Sequence, residues 1–388
     1  MKHSIRVVTV LTIIYFVCNL LGIVTDGILR FLPFIIITLT LFIFIKDKCW
    51  NAFNSSSRNI LVALWGIYVL IHSFVDQAYN MPKYLTALHA FYWVSIFFLF
   101  FRKGFTIQEN KISNNIITIF IIMFVSYLIN RVLFPATDIS IGYNSCFYPL
   151  MMLPWLTLIK DRTWKWSCLI LLGVAVLLSV KRSCTIIYIL SIALIYYNDF
   201  LSKGRFNITQ LFKGIIILSI GYIIINNSGR FNIIQDRFSS IEEDGGSGRD
   251  RVFEDVIYRF NNFGFEDQIF GRGYNMVRIE DTQTFVPISA HNDFLEVLYD
   301  YGYIGITIFV LIHLSIIILG IKRYRRNSSD SIAIIVSYIC FFIMSMVSHL
   351  MIYPTYIAFL ASFWGYATYK EKASEKLNHK NEYYSCDK

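Results

Sequence analysis

Charged residues are scarce in this chain of 388 residues. They make up 16% of the sequence, whereas hydrophobic residues make up 56% and aromatic residues 17%. A soluble domain usually contains about 25% charged residues. The mean hydropathy of +0.54 is typical of a chain that faces lipid over much of its length. These values exclude a soluble globular protein, a disordered chain and a fibrous chain.

Closely spaced cysteine pairs are also absent. The seven cysteines are scattered, most of them in or beside apolar segments, and no two form a C-x-x-C pair. Neither a zinc site nor a disulfide framework is predicted, and we expect buried thiols. The long loop described below has no acidic D-x-D motif, so we expect no metal and no other cofactor.

Long apolar segments are abundant, and each approaches the length needed to cross about 30 Å of hydrocarbon. We predict an all-α, polytopic membrane bundle of about twelve spans, an even number that places both termini on one side. The first segment is not a cleaved signal peptide, because its apolar run has full length and no A-x-A-like site follows. The predicted spans cover residues 7–24, 28–45, 59–75, 84–101, 115–134, 143–159, 164–180, 183–198, 211–226, 302–321, 332–349 and 352–369.

Lysine and arginine are distributed unevenly between the connections. The side that holds the termini carries most of the 35 basic residues, whereas the opposite short connections carry only Arg30, Lys83, Arg131, Lys181 and Arg182. Cytoplasmic loops are enriched in basic residues, so both termini are predicted to be cytoplasmic. Because the net charge of +9 is spread over many loops, we do not expect nucleic acid as a partner.

One connection is far longer than the others. Residues 227–301 form a predicted outer loop with 14 of the 26 acidic residues, seven arginines and no lysine. Loops of this length usually have a function. The predicted organisation is nine spans within 1–226, the loop at 227–301, three spans within 302–369 and a cytoplasmic tail at 370–388.

The basic residues on the outer side predict an anion-binding site. Arginine presents a planar fork that binds phosphate or carboxylate at two points and stays charged in a low-dielectric site. We therefore predict an anionic substrate, such as a diphosphate; the alternative is that the loop arginines pair with the acidic residues around them. Lys181 and Arg182 lie at a tight outer turn where the charge bias disfavours cations. Arg182 is a candidate for binding a lipid-linked phosphate, and snorkelling to the headgroups is the alternative.

The loop also contains recognisable local patterns. A glycine-rich hinge at 244–248 precedes a predicted amphipathic helix from Arg251 to Phe263, which would lie on the membrane surface or over a cavity. The Gly271-Arg272-Gly273 turn lacks the strand and the third glycine of a dinucleotide-binding loop, so that function is excluded.

His291 is the only histidine in the loop and belongs to the segment A-H-N-D-F-L-E. A histidine can take a proton from a hydroxyl group at neutral pH, which lysine and arginine cannot do. Asp293 and Glu296 are close enough in sequence to orient it or to share the task. The alternative is that His291 caps the helix leading into the membrane.

Taken together, these features resemble the O-antigen polymerase and ligase superfamily of bacterial membrane glycosyltransferases. The resemblance rests on the bundle, on the turn S-V-K-R-S at 179–183, and on the loop motifs G-R-D-R-V-F, G-R-G-Y and A-H-N-D-F-L-E before Y-G-x-x-G. It is clearest from about residue 170 to 315. It implies functional roles for Arg182, Arg249 and His291. Lys181 stands where many members have serine, which leaves its role open.

The resemblance implies an enzyme of the bacterial inner membrane whose long, partly helical loop is periplasmic and whose donor is a glycan on undecaprenyl diphosphate. Arg182 and the loop arginines would stabilise the leaving diphosphate. His291 would activate the acceptor hydroxyl, which attacks the anomeric carbon with inversion. Beside the three catalytic candidates, the predicted substrate-binding residues are Lys181, Arg251, Arg272, Asp293 and Glu296.

Polymerase and ligase differ in the acceptor, which is another lipid-linked repeat unit or a lipid A-core sugar. The ten-residue spacing of Arg237 and Gly248 and the Ile/Phe/Asn-rich body favour polymerase, with ligase as the alternative. A lipid-linked oligosaccharide flippase is the rival from another class. The chain has no internal repeat and no long connection at its midpoint, which such transporters often show. A chain-length regulator and a flippase are implied as partners by the resemblance alone.

Overall fold

The computed structural model describes residues 2–22, 31–46, 56–75, 91–103, 109–133, 144–179, 181–201, 249–280, 289–328, 330–348, 350–351 and 353–386. Within these ranges every regular element is helical, as predicted. The helices are α1 (Lys2–Leu20), α2 (Leu32–Lys46), α3 (Ser57–Val75), α4 (Tyr92–Lys103), α5 (Glu109–Leu133), α6 (Phe147–Leu150), α7 (Leu153–Thr157), α8 (Arg162–Ser179), α9 (Arg182–Tyr196), α10 (Arg249–Asn261), α11 (Phe265–Phe270), α12 (Met276–Ile279), α13 (Asp293–Arg325), α14 (Ser331–Val347) and α15 (Pro354–Cys386).

Among the described residues, four helices are long and apolar enough to cross a membrane. They are α8, α13, most of α5, and α9 together with the single π-helical turn that follows it. The helices α1 to α4 and α14 are also apolar but shorter. These helices support a membrane protein, while the count of twelve spans stays a prediction. The predicted span 211–226 lies outside the described residues.

The segment predicted as the sixth span, 143–159, is not one continuous helix in its described part. It consists of α6 and α7 with a turn at Met151 and Met152 between them. Pro149 and Pro154 have no N–H group and cannot donate to the carbonyl four residues earlier, so the helical hydrogen-bond ladder is interrupted twice. The segment is largely buried among the other helices. The prediction of one continuous helix here is wrong, whereas the crossing of a membrane by this segment stays a prediction.

The long helix α13 changes direction at Gly302, where φ is 64° and ψ is −165°. A Cβ atom at this position would lie 2.4 Å from a backbone oxygen of α11, so only glycine permits the contact. Near the kink, the carbonyl groups of Tyr299 and Asp300 accept hydrogen bonds from the N–H groups of Arg272 (3.1 Å) and Gly273 (2.8 Å). The G-R-G turn therefore packs backbone to backbone against the kink, and the apolar, membrane-crossing part of α13 follows Gly302.

The helices α3 and α13 run antiparallel and define the two ends of the bundle. Arg58, at the start of α3, donates to the carbonyl of Ser315 (2.9 Å), whereas Tyr68 donates to that of Tyr301 (2.9 Å). The Arg58 end gathers connections predicted to be cytoplasmic, and the Tyr301 end gathers those predicted to be outside. This internal arrangement agrees with the predicted alternation of the spans, and the sidedness itself stays a prediction.

The described cysteines agree with the prediction of buried thiols. Cys146, Cys168, Cys184 and Cys340 are buried, Cys18 is half-buried, and all five are free. The four buried cysteines belong to an aromatic-rich core, as expected for a small polarisable side chain in an apolar environment.

Candidate active site

An open cavity of about 260 Å³ lies at the Tyr301 end of the bundle. Its walls come from six parts of the chain: the start of α6 with the residues before it, the starts of α9 and α10, α12, the segment around His291, and the stretch from the end of α14 to the first turn of α15. The lining residues are Asn144, Phe147, Lys181, Ser183, Arg249, Arg278, Ser289, His291, Val347, Ser348, Tyr353 and Tyr356.

The charge of the cavity wall is positive. Lys181, Arg249 and Arg278 line it, and none of the described lining residues is acidic. A concave surface lined by positive charges concentrates anions near it. The wall is therefore suited to an anionic ligand.

The ends of helices add to this positive field. The helices α9, α10, α13 and α15 begin at Arg182, Arg249, Asp293 and Pro354, each within two residues of a lining residue. The N-terminal end of a helix carries a partial positive charge and N–H groups that have no partner inside the helix. Anions such as phosphate commonly bind at such ends.

His291 enters the cavity from a strained backbone position. Its φ is 53°, in the left-handed region that few residues other than glycine adopt. The next residue, Asn292, caps α13 by accepting hydrogen bonds from the N–H groups of Phe294 (2.9 Å) and Leu295 (3.2 Å). The sequence analysis gave capping of this helix as the alternative role of His291. In the structure Asn292, and not His291, caps the helix.

The electrostatic surroundings keep the His291 ring neutral. Burial and the positive charges of Arg249 and Lys181 lower its pKa to about 4. At neutral pH the ring therefore has an unprotonated nitrogen, which is the form that accepts a proton. His291, Arg249 and Lys181 all line the cavity, so the structure brings these three residues together, and their roles in a reaction stay predictions.

Asp293 lies beneath the cavity rather than in its wall. It is fully buried, and its carboxylate accepts hydrogen bonds from the N–H groups of Leu350 (3.0 Å) and Met351 (3.1 Å). Burial raises its pKa to about 7, and those N–H groups oppose the shift. The carboxylate fixes the connection that carries Ser348 and Tyr353 to the cavity.

Glu296 lies one turn further along α13 and is also buried. It accepts a hydrogen bond from the N–H of Ala290 (2.5 Å), the residue before His291. Burial raises the pKa of Glu296, and the nearby Asp300 raises it further. The contacts of Asp293 and Glu296 support a positioning role, and their predicted contact with substrate stays a prediction.

The remaining predicted arginines lie outside the cavity lining. Arg182 follows Lys181 as the first residue of α9 and is half-buried. Arg251 is exposed on α10, two residues after Arg249 and so on another face of that helix. Substrate binding by both arginines stays a prediction.

Arg272 has acidic partners. It donates to Asp267 (2.7 Å) and to Glu280 (3.1 Å), and its guanidinium group lies 5.3 Å from the ring centre of Phe263. Arg259 behaves similarly, with an ion pair to Asp255 (2.8 Å). The sequence analysis gave pairing with acidic loop residues as the alternative to substrate binding. For Arg272 and Arg259 the structure shows this pairing.

Several lining residues were missed by sequence reasoning. Arg278 is one of the seven loop arginines, and nothing in its spacing separates it from Arg272. Tyr353 ends the short connection between α14 and α15, and Tyr356 lies in the first turn of α15, in a stretch without Lys, Arg, Asp, Glu or a motif. Their only signal is position, since that connection is predicted to lie on the same side as the long loop.

No cluster of three or more histidine, cysteine, aspartate or glutamate side chains with the spacing of a metal site occurs among the described residues. The polar groups of the cavity are cations, hydroxyl groups, an amide and a neutral imidazole. Such a set is suited to binding phosphate groups and to moving a proton.

Comparison with known proteins shows that the central part of the chain is similar to one family. Residues 167–310 match the family model described as O-antigen ligase. The match covers less than half of the chain, but it includes Lys181, Arg182, Arg249, Arg278 and His291. No match was found among curated protein sequences. The resemblance to the O-antigen polymerase and ligase superfamily is thereby confirmed.

Proposed function

We propose, from the premise that the chain carries an O-antigen ligase domain, that it is a membrane glycosyltransferase that polymerises undecaprenyl-diphosphate-linked repeat units into O-antigen or a related surface polysaccharide. The observation that carries the proposal is the joint presence of His291 and of Lys181, Arg249 and Arg278 in the wall of one cavity. The cations suit a diphosphate, and the histidine suits the activation of a hydroxyl group.

In the proposed reaction a hydroxyl oxygen of the acceptor attacks the anomeric carbon of the donor sugar. The bond between that carbon and the diphosphate oxygen breaks, the bonding electrons leave with the diphosphate, and the configuration inverts. His291 takes the proton of the hydroxyl group. Arg249, Arg182 and Lys181 stabilise the negative charge that develops on the diphosphate.

The lowered pKa of His291 is that of the site without a bound ligand. Arg249 and Lys181 contribute to lowering it, and a bound diphosphate would neutralise part of their effect. The pKa would then rise toward the neutral range, where a general base is most effective. Donor binding thus prepares the histidine for its role.

The site would lie at the periplasmic face of the inner membrane, with both termini cytoplasmic. The distribution of lysine and arginine supports this orientation. Undecaprenyl-diphosphate-linked glycan and membrane lipid are the proposed substrate and environment, and a chain-length regulator and a flippase are proposed partners.

A specific observation favours a second candidate. The matching family model is described as O-antigen ligase. A ligase would use the same donor and the same cavity, but its acceptor would be a sugar of the lipid A-core.

The lipopolysaccharide of a strain that lacks the gene distinguishes these reactions on a gel. We expect core with a single repeat unit, because a unit can still be attached but not extended. Bare core with long glycan on the lipid carrier would instead identify a ligase. Bare core without any glycan at the outer face would indicate the flippase.

Variants returned to the deletion strain test the site itself. We expect loss of long polymer with Arg249→Ala, Arg182→Ala and His291→Ala. Arg326→Ala is the matched control, because this exposed arginine lies at the opposite end of the bundle. Membrane protein levels must be equal in all strains. Normal polymer from His291→Ala or Arg182→Ala would refute the mechanism.

A further inference from the structure

The cavity has a second wall whose chemistry differs from the cationic one. Lys181, Arg249 and Arg278 form the cationic wall, whereas this second wall combines aromatic rings with hydroxyl and amide groups. Its residues are Asn144, Phe147, Ser348, Tyr353 and Tyr356.

The aromatic rings of this wall are firmly packed. The ring of Tyr356 lies 5.5 Å from that of Phe147, 4.8 Å from that of Tyr148 and 5.7 Å from that of Tyr353. The Tyr356 hydroxyl donates to the carbonyl of Asn144 (3.4 Å). The contacts of Tyr356 with Phe147 and Tyr148 are edge-to-face, a packing that holds rings in defined orientations, and its contact with Tyr353 is tilted by 42°.

The two tyrosines differ in exposure. Tyr356 is 7% exposed and anchored by its neighbours, whereas Tyr353 is 44% exposed. Tyr353 therefore lines the cavity with nearly half of its surface uncovered, and the anchored ring of Tyr356 packs beside it. The backbone beside it is also fixed, because Asp293 accepts hydrogen bonds from the N–H groups of Leu350 and Met351.

The chemistry of the wall selects among the parts of the proposed donor. A polyprenyl chain needs an apolar surface, and the hydroxyl and amide groups of Ser348 and Asn144 would be left without partners against it. A sugar ring has an apolar C–H face and a rim of hydroxyl groups, which match aromatic rings flanked by polar groups. The cavity volume of about 260 Å³ is below the usual range for drug-sized ligands, so it suits one ring with its phosphates rather than an oligosaccharide.

We infer that Tyr353, supported by Tyr356 and flanked by Asn144 and Ser348, forms a subsite for the sugar ring that is attached directly to the diphosphate. The inference rests on the proposed function. The cavity then recognises a glycosyl diphosphate through two walls, one for the phosphates and one for the sugar.

The test compares two ligands on the full-length protein in lipid nanodiscs. One ligand is undecaprenyl diphosphate, and the other is the undecaprenyl-diphosphate-linked repeat unit extracted from the deletion strain. Dissociation constants are measured for both by titration with native mass spectrometry. We expect Tyr353→Ala to weaken binding of the sugar-bearing lipid roughly five- to tenfold and to change binding of the bare lipid less than about twofold.

Three further variants make the result specific. Tyr353→Phe should bind both ligands like the wild type, because the ring is retained. Arg278→Ala should weaken both ligands by a similar factor, because it acts on the phosphates. Tyr258→Ala is the matched control, since this exposed tyrosine lies on α10 outside the cavity lining.

Two results would overturn the subsite. One is an equal loss of affinity for both ligands in Tyr353→Ala, which would assign the ring to the shared lipid or to local structure. The other is no loss for either ligand. If the wild type binds neither ligand, the proposed function itself is wrong and the subsite falls with it, so the two failures are distinguishable.

Discussion

The two ends of the bundle hold their positive charges in different ways. At the end where α3 begins, basic residues contact carboxylates between helices. Arg58 pairs with Glu371, and Lys322 lies 2.9 Å from the same carboxylate. Arg323 pairs with Asp330 at 2.8 Å. At the other end, the lining cations border an open cavity whose described wall has no acidic residue.

This difference separates two uses of a basic residue in a membrane protein. A cation beside a buried carboxylate fastens one helix to another, since each charge would be costly without its partner. A cation in the wall of an open cavity attracts an anion from outside. The function of a lysine or arginine therefore depends on where the carboxylates lie rather than on how many cations a segment contains.

The largest effect on stability is expected from breaking a buried ion pair between two helices. Arg58→Ala would leave Glu371 buried without its arginine and remove the bonds of Arg58 to Ser315 and Thr368. We expect a loss of roughly 3–5 kcal/mol in the free energy of unfolding, the usual cost of removing one partner of a buried pair. Denaturant unfolding of the purified protein measures it.

Two controls sharpen this result. The paired change Arg58→Met with Glu371→Leu should recover much of the lost stability, because no buried charge is left alone. Arg278→Ala, at an exposed position of the cavity wall, should leave the free energy of unfolding nearly unchanged. If Arg58→Ala lowers the free energy of unfolding by less than about 1 kcal/mol, the ion pairs at this end do not hold the helices together, and the two ends do not differ in this respect.

An intermediate effect is expected in the pH dependence at the cavity. The pKa of His291 is lowered to about 4 by burial, Arg249 and Lys181. As a base it works in the neutral form, so activity is retained above that pKa and lost as the pH falls through it. We expect kcat/KM to stay level from pH 8 to 5.5, whereas a histidine with the ordinary pKa would lose about tenfold.

Substitution of Arg249 tests the cause of the shift. Arg249→Ala removes one of the charges that lower the pKa of His291, so the acidic fall in the residual kcat/KM of this weakened enzyme should move to higher pH. Arg249→Lys keeps the charge and should keep the wild-type position of the fall. A wild-type profile that already falls near pH 6.5 would contradict the effect of the cavity cations on His291.

Much of this architecture could be predicted from hydropathy and charge. The apolar segments located most described helices because length and apolarity alone decide which segments can cross a membrane. The failure at 143–159 has a definite reason. Hydropathy counts polarity but not hydrogen-bond donors, and Pro149 and Pro154 remove two donors from a segment that remains apolar.

The site could be predicted only where one segment carries several signals. His291 stands out as the one histidine of the loop, whereas Arg249 was singled out among the seven loop arginines only by the family resemblance. Arg278 and Arg272 could not be separated, because their roles depend on the positions of Asp267 and Glu280 in space. Tyr353 was missed because its connection meets the His291 segment only in space, where the N–H groups of Leu350 and Met351 donate to Asp293.

The smallest effect on polymer and on stability is expected for Arg272. It tests whether a cation paired with carboxylates differs in function from a cation that lines the cavity. Its partners Asp267 and Glu280 are partly exposed, and exposed ion pairs contribute about 1 kcal/mol or less. Arg272→Ala should therefore produce near-normal polymer and a small change in unfolding, whereas Arg278→Ala, a change of the same kind in the same loop, should reduce polymer strongly. If Arg272→Ala instead abolishes polymer, pairing with carboxylates does not exclude a role in substrate binding, and the substrate extends beyond the cavity.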